Sequence, residues 1–361
     1  MHVPENVAIC YFVRMSHVLV TGASGFFGGV LKRRLLAEGN TVVNIDLERD
    51  EDQHEGLLSI QGDLRDAALV SRIFAEHRFD AVYHAAAQLA HGFRLDERLL
   101  WTSNVDATRV LAEAARAAGV RPFIFLSSNC LWAANLGHPV QEETDIPAPV
   151  ELYGKSKLAA EQLLQNFTAD LDVVILRCPT IMDAGRLGLL AILYEFIDDH
   201  KTIWVVGNGS NRYQFIYAGD LATACMQAAR YGKSDLFHIG SDNVKTMREV
   251  YQSVIEAAGS RSRVRSLPKG PAIAAMKLAH RLHLSPLGPY HYSMIAESFL
   301  FDITRIQQRL GWRPTLTNEQ MLLKAYQYYR QNRAEISART DVSAHRKAAA
   351  MGVIRLLKWI S

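Results

Sequence analysis

The sequence is poor in cysteine and has no strong excess of charge of either sign. Its four cysteines are scattered over 361 residues, and none forms a Cys-x-x-Cys pair. This spacing argues against structural zinc and for a reducing compartment, so we expect no metal. The formal net charge of +3 gives no signal for nucleic-acid binding. No apolar run is long enough to span a bilayer. These absences predict a cytoplasmic protein with no nucleic-acid partner.

The first residues do not have the pattern of a secretory signal peptide. No basic segment precedes the short apolar stretch 7–13. A second methionine, Met15, stands directly before the first predicted strand. We interpret residues 1–15 as a leader outside the fold.

A glycine-rich turn connects the first predicted strand to the first predicted helix. The strand 17–20 leads into residues 21–28, Thr-Gly-Ala-Ser-Gly-Phe-Phe-Gly. A helical pattern follows over 30–38, and a second strand over 41–45 ends at Asp46. This order of strand, glycine turn, helix, strand and acidic residue is typical of a dinucleotide-binding βαβ unit.

The residues of this unit have separate tasks in dinucleotide binding. Gly22 permits the tight turn, Gly25 lets the backbone approach a pyrophosphate, and Gly28 lets helix and strand pack closely. The N-terminus of the helix then faces the phosphates. Asp46 would accept hydrogen bonds from the ribose hydroxyls and repel a 2′-phosphate, which favours NAD over NADP. Arg49 lies close by in sequence and would weaken that preference.

Apolar strands and amphipathic helices continue to alternate beyond this unit. Strands are predicted at 58–61, 81–84, 123–126 and 172–177, with helices at 66–75 and 105–118. The alternation predicts an α/β fold of the Rossmann type, a doubly wound parallel sheet with a smaller C-terminal substrate-binding region. The predicted division is a leader at 1–15, an NAD-binding Rossmann domain at 16–180, a mainly substrate-binding region at 181–333 with some elements returning to the Rossmann core, and an amphipathic tail at 334–361.

A Tyr-x-x-x-Lys motif opens the helix that is predicted after Tyr153. The i,i+4 spacing places Tyr153 and Lys157 on one face of that helix. A phenol with its ordinary pKa near 10 is a poor base at neutral pH. An ammonium group beside it favours the phenolate, so we expect Lys157 to lower the pKa of Tyr153. The pair would then serve as general base and acid on an alcohol or ketone.

Further motifs occur along the chain in a fixed order. They are Gly62-Asp63-Leu64-Arg65-Asp66, His84-Ala85-Ala86-Ala87, Asn104-Val105, Phe125-Leu126-Ser127-Ser128, Gly219-Asp220-Leu221-Ala222 and Leu310-Gly311-Trp312-Arg313-Pro314. Together with the glycine turn and the Tyr-x-x-x-Lys motif, they resemble the extended short-chain dehydrogenase/reductase family, in its NAD-dependent epimerase/dehydratase group. The resemblance covers residues 16–330.

The resemblance implies a role for each matching residue. Ser128 would hydrogen-bond the reacting oxygen, Tyr153 would be the catalytic base, and Lys157 would bridge the nicotinamide ribose. The implied NAD-binding residues are Gly22, Ser24, Gly25, Phe26, Phe27, Gly28, Asp46, Asp63, Leu64, Ala85, Ala86, Ala87, Asn104, Tyr153, Lys157 and Cys178. The implied substrate-binding residues are Ser128, Asn129, Thr180 and Arg212. By contrast, His84 is interpreted as a packed strand-end histidine.

The residues that follow Ser128 bear on the type of reaction. In the dehydratases of this family an Asp-Glu pair stands at this place and removes water. Here the positions hold Asn129 and Cys130, which disfavours dehydration and decarboxylation. The resemblance therefore implies oxidation and reduction of an alcohol and, if both occur on opposite faces, epimerisation. The alternatives are a net dehydrogenase or reductase and, in another class, a non-catalytic dinucleotide-sensing protein.

Two positions leave the substrate open. Sugar-nucleotide members often carry Asn where this chain has Thr180, and an Arg two residues before a Phe. Here Arg212 stands three residues before Phe215, with Asn211 beside it, which also resembles the sterol dehydrogenase branch. The first reading is 4-epimerisation of a nucleotide- or lipid-diphosphate-linked sugar, and the alternative substrate is a sterol-like alcohol.

The C-terminal tail differs in character from the rest of the chain. Residues 342–361 contain no acidic residue, and their apolar side chains recur at helical spacing. Such a segment would lie in a membrane interface, at the inner face of the membrane, or dock on protein. Both readings remain open at this point. The expected partners are a small sugar substrate and a second subunit in a homodimer.

Overall fold

A parallel sheet of seven strands forms the centre of the molecule. The computed structural model describes residues 15–89, 96–282, 284 and 288–338. The sheet order is β10-β6-β5-β4-β1-β2-β3, and each neighbouring pair is parallel. The strands of the molecule are β1 His17–Thr21, β2 Thr41–Asp46, β3 Leu57–Gln61, β4 Ala81–His84, β5 Pro122–Ser128, β6 Asp172–Cys178, β7 Thr180–Met182, β8 Ile203–Val206, β9 Phe215–Tyr217, β10 Asp235–His238 and β11 Val264–Leu267.

Helices follow most of these strands. They are α1 Phe26–Ala37, α2 Ala67–Glu76, α3 Glu97–Trp101, α4 Ala107–Ala117, α5 Leu152–Gln165, α6 Leu190–Asp198, α7 Ala218–Ala228, α8 Met247–Ala257, α9 Lys269–Arg281, α10 Pro289–Met294, α11 Thr304–Leu310, α12 Asn318–Gln331 and α13 Arg333–Ala338. A π-helical turn, Thr102–Asp106, joins α3 to α4. Among the described residues, no helix is both long and apolar enough to cross a membrane.

Two apolar cores cover the two faces of the sheet. Val18 and Val20 pack with α1, α7 and Ile306 of α11 on one face. Leu19, which points the other way, packs with α2, α4 and α5 on the opposite face. Successive side chains of a strand alternate between faces, so a strand buried on both sides is apolar throughout. The sequence prediction of a doubly wound α/β fold is confirmed.

The direction of strand order reverses beside β1. β2 and β3 lie on one side of β1, whereas β4, β5, β6 and β10 lie on the other. The loops that leave β1 and β4 therefore diverge and leave a crevice at the carboxyl ends of the strands. Ligands bind at such a switch point in open α/β sheets.

The C-terminal half contributes both to the sheet and to a separate layer. β10, α7 and α11 join the central sheet and its core. A third core, built from α6, α8 and α12, packs with the small sheets β7–β9 and β8–β11. A fourth core around Trp132 brings α10 beneath the turn that follows β5. The C-terminal layer thus reaches the crevice through the segments 180–186, 213–217 and 288–294.

Two predicted element boundaries differ from the structure. The first helix was expected from residue 30 but begins at Phe26, because Gly25 is already its N-cap. The helix expected at 105–118 is preceded by the π-helical turn, which the alanine-rich pattern did not indicate. The tail 342–361 and most of the leader lie outside the described residues.

Candidate active site

A cavity of about 420 Å³ lies at the carboxyl ends of β1, β4, β5 and β6. This volume falls in the range of small-molecule and cofactor sites. Most of the site residues named from the sequence line it. They are Gly22, Gly25, Phe26, Phe27, Gly28, Asp46, Asp63, Leu64, Ala85, Ala86, Ala87, Ser128, Asn129, Tyr153, Lys157, Cys178 and Thr180. Three others, Ser24, Asn104 and Arg212, are not part of this lining.

The glycine turn is packed so closely that side chains would fill it. Gly22 has a positive φ of 73°, and a Cβ there would lie 2.7 Å from the Cα of Ala86. A Cβ on Gly28 would overlap the carbonyl oxygen of Gly22. The first turn of α1 also contains no acidic residue. The turn therefore brings the N-terminus of α1 to the cavity with no Cβ at positions 22, 25 and 28, so the backbone can approach a pyrophosphate and the site fits a dinucleotide.

The carboxylate of Asp46 is fixed at the end of β2. Its Oδ2 accepts the backbone N–H of Ser24 at 2.9 Å, and its Oδ1 accepts that of Glu48 at 3.0 Å. The Ser24 hydroxyl donates to the Glu48 carbonyl oxygen, so Ser24 shapes the turn instead of lining the cavity. Arg49 is exposed and lies outside the lining. The Asp46 carboxylate therefore lies where a ribose would bind, and the Arg49 side chain is not part of the cavity wall beside it.

The far end of the cavity is bounded by Asp63 and by the residues after β4. Arg65 hydrogen-bonds Asp63 and holds the pKa of that carboxyl below its usual value. His84, at the end of β4, is buried between the hydroxyls of Thr21 at 2.7 Å and Thr108 at 2.9 Å. Burial lowers the pKa of His84 to about 3, so it is neutral and packed.

Asn104 lies outside the cavity lining and holds a residue of the cavity wall in place by hydrogen bonds. Its Oδ1 accepts the backbone N–H of Gln88 at 2.7 Å, and its Nδ2 donates to the Gln88 carbonyl. The same Nδ2 donates to the hydroxyl of Ser156 on α5 at 3.0 Å. Asn104 lies in the π-helical turn, which turns its side chain toward both partners. It thereby ties the loop after β4 to the helix that carries Tyr153 and Lys157.

Ser128, Tyr153 and Lys157 meet at one end of the cavity. Ser128 ends β5, and Tyr153 lies in the first turn of α5, one helical turn before Lys157. The glycine after Tyr153 makes this approach possible. A Cβ on Gly154 would overlap the carbonyl oxygen of Cys130 and lie 2.9 Å from the Cβ of Pro149. The helix therefore packs directly on the turn that follows β5.

The electrostatics of this trio differ from the sequence expectation. Burial raises the pKa of Tyr153 well above its ordinary value, while a hydrogen bond with Ser128 and the charge of Arg186 act in the opposite direction. Burial lowers the pKa of Lys157 to about 8, and its Nζ lies 3.9 Å from the ring centroid of Phe125. The expected lowering of the Tyr153 pKa by Lys157 is therefore wrong for this structure: desolvation raises that pKa, and the cation that lowers it is Arg186.

The position of the dehydratase acid pair holds a neutral hydrogen-bonded group. The Asn129 Nδ2 donates to the hydroxyls of Tyr213 at 2.7 Å and Tyr290 at 2.9 Å, and the two hydroxyls lie 2.9 Å apart. Burial raises the pKa of the neighbouring Cys130 thiol to about 11. None of these four groups supplies a carboxylate for removing water.

Several residues of the cavity wall were not named as site residues from the sequence. Among them are Glu151, Arg186, Tyr213 and Tyr290. Glu151 accepts the backbone N–H of Tyr290 at 2.6 Å, and burial raises the pKa of its carboxyl. Arg212, which was named, is exposed, and its neighbour Tyr213 lines the cavity in its place. The motif spacing around Phe215 did not distinguish these two neighbours.

Arg186 is a second cation, besides Lys157, in the wall of the cavity. Its guanidinium lies 5.9 Å from the ring centroid of Phe26, and its Nε is buried without a hydrogen-bond partner. Burial lowers the pKa of Arg186 to about 10, while Tyr194 and Tyr153 raise it. An unpaired buried donor of this kind is expected to bind an acceptor from a ligand.

Comparisons with known proteins identify the family of the chain. Residues 18–240 match the NAD dependent epimerase/dehydratase family. An uncharacterised protein of Sinorhizobium fredii, y4nG, is 35% identical over 98% of this chain and 88% of its own length. A UDP-glucose 4-epimerase of Mycolicibacterium smegmatis is 28% identical over 86% of this chain and 98% of its own.

Solved structures share the fold at low sequence identity. The UDP-glucose 4-epimerase of Thermotoga maritima, crystallised with UDP-glucose, has a TM-score of 0.73 at 24% identity and covers 88% of this chain and 99% of its own. WbmG of Bordetella bronchiseptica, crystallised with NAD, has a TM-score of 0.74 at 20% identity, covering 90% of this chain and 96% of its own. With the family match over more than half of its length, the chain belongs to the NAD-dependent epimerase/dehydratase family.

Proposed function

We propose that the protein is an NAD-dependent epimerase that inverts a ring hydroxyl, at C4, of a diphosphate-linked sugar. The observation that carries this proposal is the convergence of Ser128, Tyr153 and Lys157 at the end of a cavity whose other end is closed by Asp46 and Asp63. The name of the M. smegmatis relative, a UDP-glucose 4-epimerase, supports the choice of C4.

The chain's own residues would manage the proton and the orientation of the sugar. Bound NAD supplies the reversible removal and return of a hydride at the sugar carbon. Tyr153 takes the proton of the hydroxyl group and returns it after the sugar has turned over, while Ser128 holds the reacting oxygen. Because burial disfavours the phenolate, the charge of Arg186 is needed to stabilise it, and Lys157 lies one helical turn away on the same helix.

No Asp-Glu pair follows Ser128, which favours an epimerase over a dehydratase. Asn129 is occupied by its hydrogen bonds to two phenols, and the Cys130 thiol has a raised pKa. Glu151 is the carboxyl that lies nearest to Tyr153 in sequence, and one of its oxygens already caps the start of α10. Oxidation and reduction at the same carbon need no further acid or base than Tyr153.

We assign substrate recognition to the segments that come mainly from 181–333. Arg186 would bind the anionic part of the substrate, since it brings an unpaired buried donor to the cavity. Thr180, Tyr213 and Tyr290 would hydrogen-bond the sugar hydroxyls. UDP-sugars are the first candidates, because the named relatives act on UDP-glucose and UDP-arabinose.

The proposal is tested by product analysis with a panel of UDP-sugars. NMR should detect the C4 epimer over many turnovers with bound NAD, and no free NADH should accumulate. The Tyr153→Phe protein is the matched control and should give no epimer. Stoichiometric NADH without an epimer would replace the proposal by a net dehydrogenase of a sugar or sterol-like alcohol. NAD binding without turnover of any substrate would favour a dinucleotide sensor.

Two partner assignments remain predictions. A homodimer is expected, and light scattering of the purified chain tests it. Contact of 342–361 with a membrane is also expected, although these residues lie outside the described part of the structure. Truncation after Asp341 should then reduce binding to anionic vesicles without unfolding the enzyme.

A further inference from the structure

One continuous segment of the chain carries cations and no acidic residue. Residues 257–296 contain six Lys and Arg and neither Asp nor Glu, although the whole chain has a net charge of only +3. We call the described part of this segment, residues 257–282, 284 and 288–296, the basic face. Its cations are Arg261, Arg263, Arg265, Lys269, Lys277 and Arg281.

Most of these cations are available to a partner. Arg261, Arg263 and Arg265 are exposed while Ser262 between the first two is buried, so this stretch alternates between outside and inside. Lys269 forms an ion pair with Glu297 at 2.6 Å. Within the described part of the chain, no ion pair joins the three arginines to an acidic residue.

The helix of the basic face exposes large apolar side chains. No residue of α9 is buried. Leu278 and Leu282, one turn apart on this helix, are 58% and 59% exposed, and Leu284 and Ile295 are 49% and 40% exposed. Apolar side chains clustered on a surface indicate an interaction site, whereas scattered ones do not. Lys277 and Arg281 flank these leucines in sequence.

One element of the basic face, α10, contributes to the wall of the active-site cavity. α10 follows α9, and its Tyr290 lines the cavity while its backbone N–H binds Glu151. A partner bound to α10 would therefore contact an element of the cavity wall.

We propose that the basic face binds the surface of an anionic lipid bilayer, with the leucines of α9 in the headgroup region. A helix with cations and exposed leucines but no acidic residue has the chemistry of an interfacial anchor. Its cations are attracted by anionic headgroups, and its leucines lose contact with water. The proposal concerns binding alone and holds whether or not the enzyme is an epimerase.

A second copy of the chain is a poorer partner for this face. In a two-fold dimer the same patch meets itself, so the cations of one subunit would oppose those of the other. Exposed leucines also have no counterpart on a nucleic-acid phosphate backbone. A bilayer supplies both anionic headgroups for the cations and a hydrocarbon region for the leucines.

The test is flotation of the full-length protein with vesicles of phosphatidylcholine containing phosphatidylglycerol, compared with phosphatidylcholine alone. Binding is expected to the anionic vesicles only and to weaken with added salt. Two double variants probe the face: Lys277→Glu with Arg281→Glu, and Leu278→Ser with Leu282→Ser. Matched controls on other exposed surfaces are Arg72→Glu with Arg109→Glu, and Leu58→Ser.

We expect the charge variant to lose at least about thirtyfold in binding, from roughly fivefold for each of the two cations removed, and the two added carboxylates are repelled in addition. The leucine variant should also lose binding, whereas both controls should bind as the unchanged protein. Circular dichroism and NAD binding show whether each variant is folded. A chain ending at Asp341 should still float.

Several outcomes would overturn the proposal. One is no binding of the unchanged protein to anionic vesicles. Another is unchanged binding by both face variants, and a third is complete loss of binding on truncation after Asp341, which would place the contact in the tail. A fourth is conversion of a dimer to a monomer by the face variants without vesicle binding, which would show that a second copy covers the face.

Discussion

Glu161 of α5 and Arg177 of β6 form a buried, bidentate ion pair. The Nε–Oε1 distance is 3.0 Å and the Nη2–Oε2 distance is 2.6 Å. Glu161 lies one turn after Lys157, and Arg177 lies directly before Cys178 in the cavity wall. The pair therefore fixes the helix with the candidate base to the strand beside it.

Removal of one partner of this pair should destabilise the protein strongly. Glu161→Ala leaves a buried guanidinium without its counter-charge, which costs about 3 to 5 kcal/mol of unfolding free energy. Urea unfolding with the cofactor absent measures this. The control is Glu38→Ala, which breaks the exposed pair with Arg34 and should cost less than about 1 kcal/mol. Equal losses for both variants would contradict a structural role of the buried pair.

Tyr153→Phe should abolish most activity while keeping the fold. The variant retains the ring that packs in the cavity wall but has no hydroxyl to exchange a proton. We expect kcat to fall by about two orders of magnitude or more. NAD affinity, measured by calorimetry, should change little. Turnover near that of the unchanged enzyme would remove Tyr153 from the mechanism.

The sequence predicted the parts of the site that lie on regular elements. Gly22 and Asp46 were found because a glycine turn and an acidic residue stand at fixed places after two strands. Ser128 and Tyr153 were found because their motifs end a strand and start a helix. The parallel sheet then brings all of these to one edge, which is a property of the fold class.

The rest of the site depends on contacts between distant loops. Glu151 and Tyr290 are 139 residues apart in sequence and meet through one hydrogen bond. Arg186 follows a short strand in the C-terminal layer, and nothing local in the sequence shows that its guanidinium is buried. The balance of desolvation and charge at Tyr153 likewise depends on the packed structure. Spacing alone could not predict these features.

Asp46→Ser should relax the choice of cofactor toward NADP. The carboxylate at the end of β2 would repel a 2′-phosphate, and serine removes that charge. We expect the ratio of kcat/KM for NAD to that for NADP to fall by about tenfold, corresponding to roughly 1.4 kcal/mol. Glu51→Gln, which removes an exposed carboxylate outside the cavity lining, is the control. A preference for NADP by the unchanged enzyme would refute the role of Asp46.

Lys157→Met should change how stability depends on pH. Burial lowers the pKa of Lys157 to about 8. Below pH 8 the side chain is therefore charged in the folded state, and this buried charge destabilises the fold. Between pH 8 and about 10.5 the unfolded state binds one more proton than the folded state, and stability of the unchanged protein rises with pH. The methionine variant lacks this rise. Its advantage in unfolding free energy should therefore be largest below pH 8 and shrink toward pH 10.5.

Urea unfolding of both proteins at a series of pH values measures this difference. Buried tyrosines titrate at higher pH in both chains, so their contribution cancels in the comparison. Lys155→Met, on the exposed face of the same helix, is the control and should show no such dependence. Parallel curves for the unchanged protein and Lys157→Met would show that Lys157 is not desolvated.

Arg186→Met should weaken both substrate binding and the base. The guanidinium brings an unpaired donor to the cavity, and charge-assisted hydrogen bonds of this kind contribute about 1.5 to 3 kcal/mol. We therefore expect kcat/KM for a diphosphate-linked sugar to fall about 10- to 100-fold. The charge of Arg186 also lowers the pKa of Tyr153, so the alkaline rise of the pH–rate profile should move to higher pH in the variant. Arg186→Lys should restore part of both effects.

Arg212→Met, which removes an exposed guanidinium outside the cavity wall, is the matched control and should change kcat/KM little. Loss of activity in Arg212→Met with none in Arg186→Met would return the anion-binding role to Arg212, the residue first indicated by the sequence.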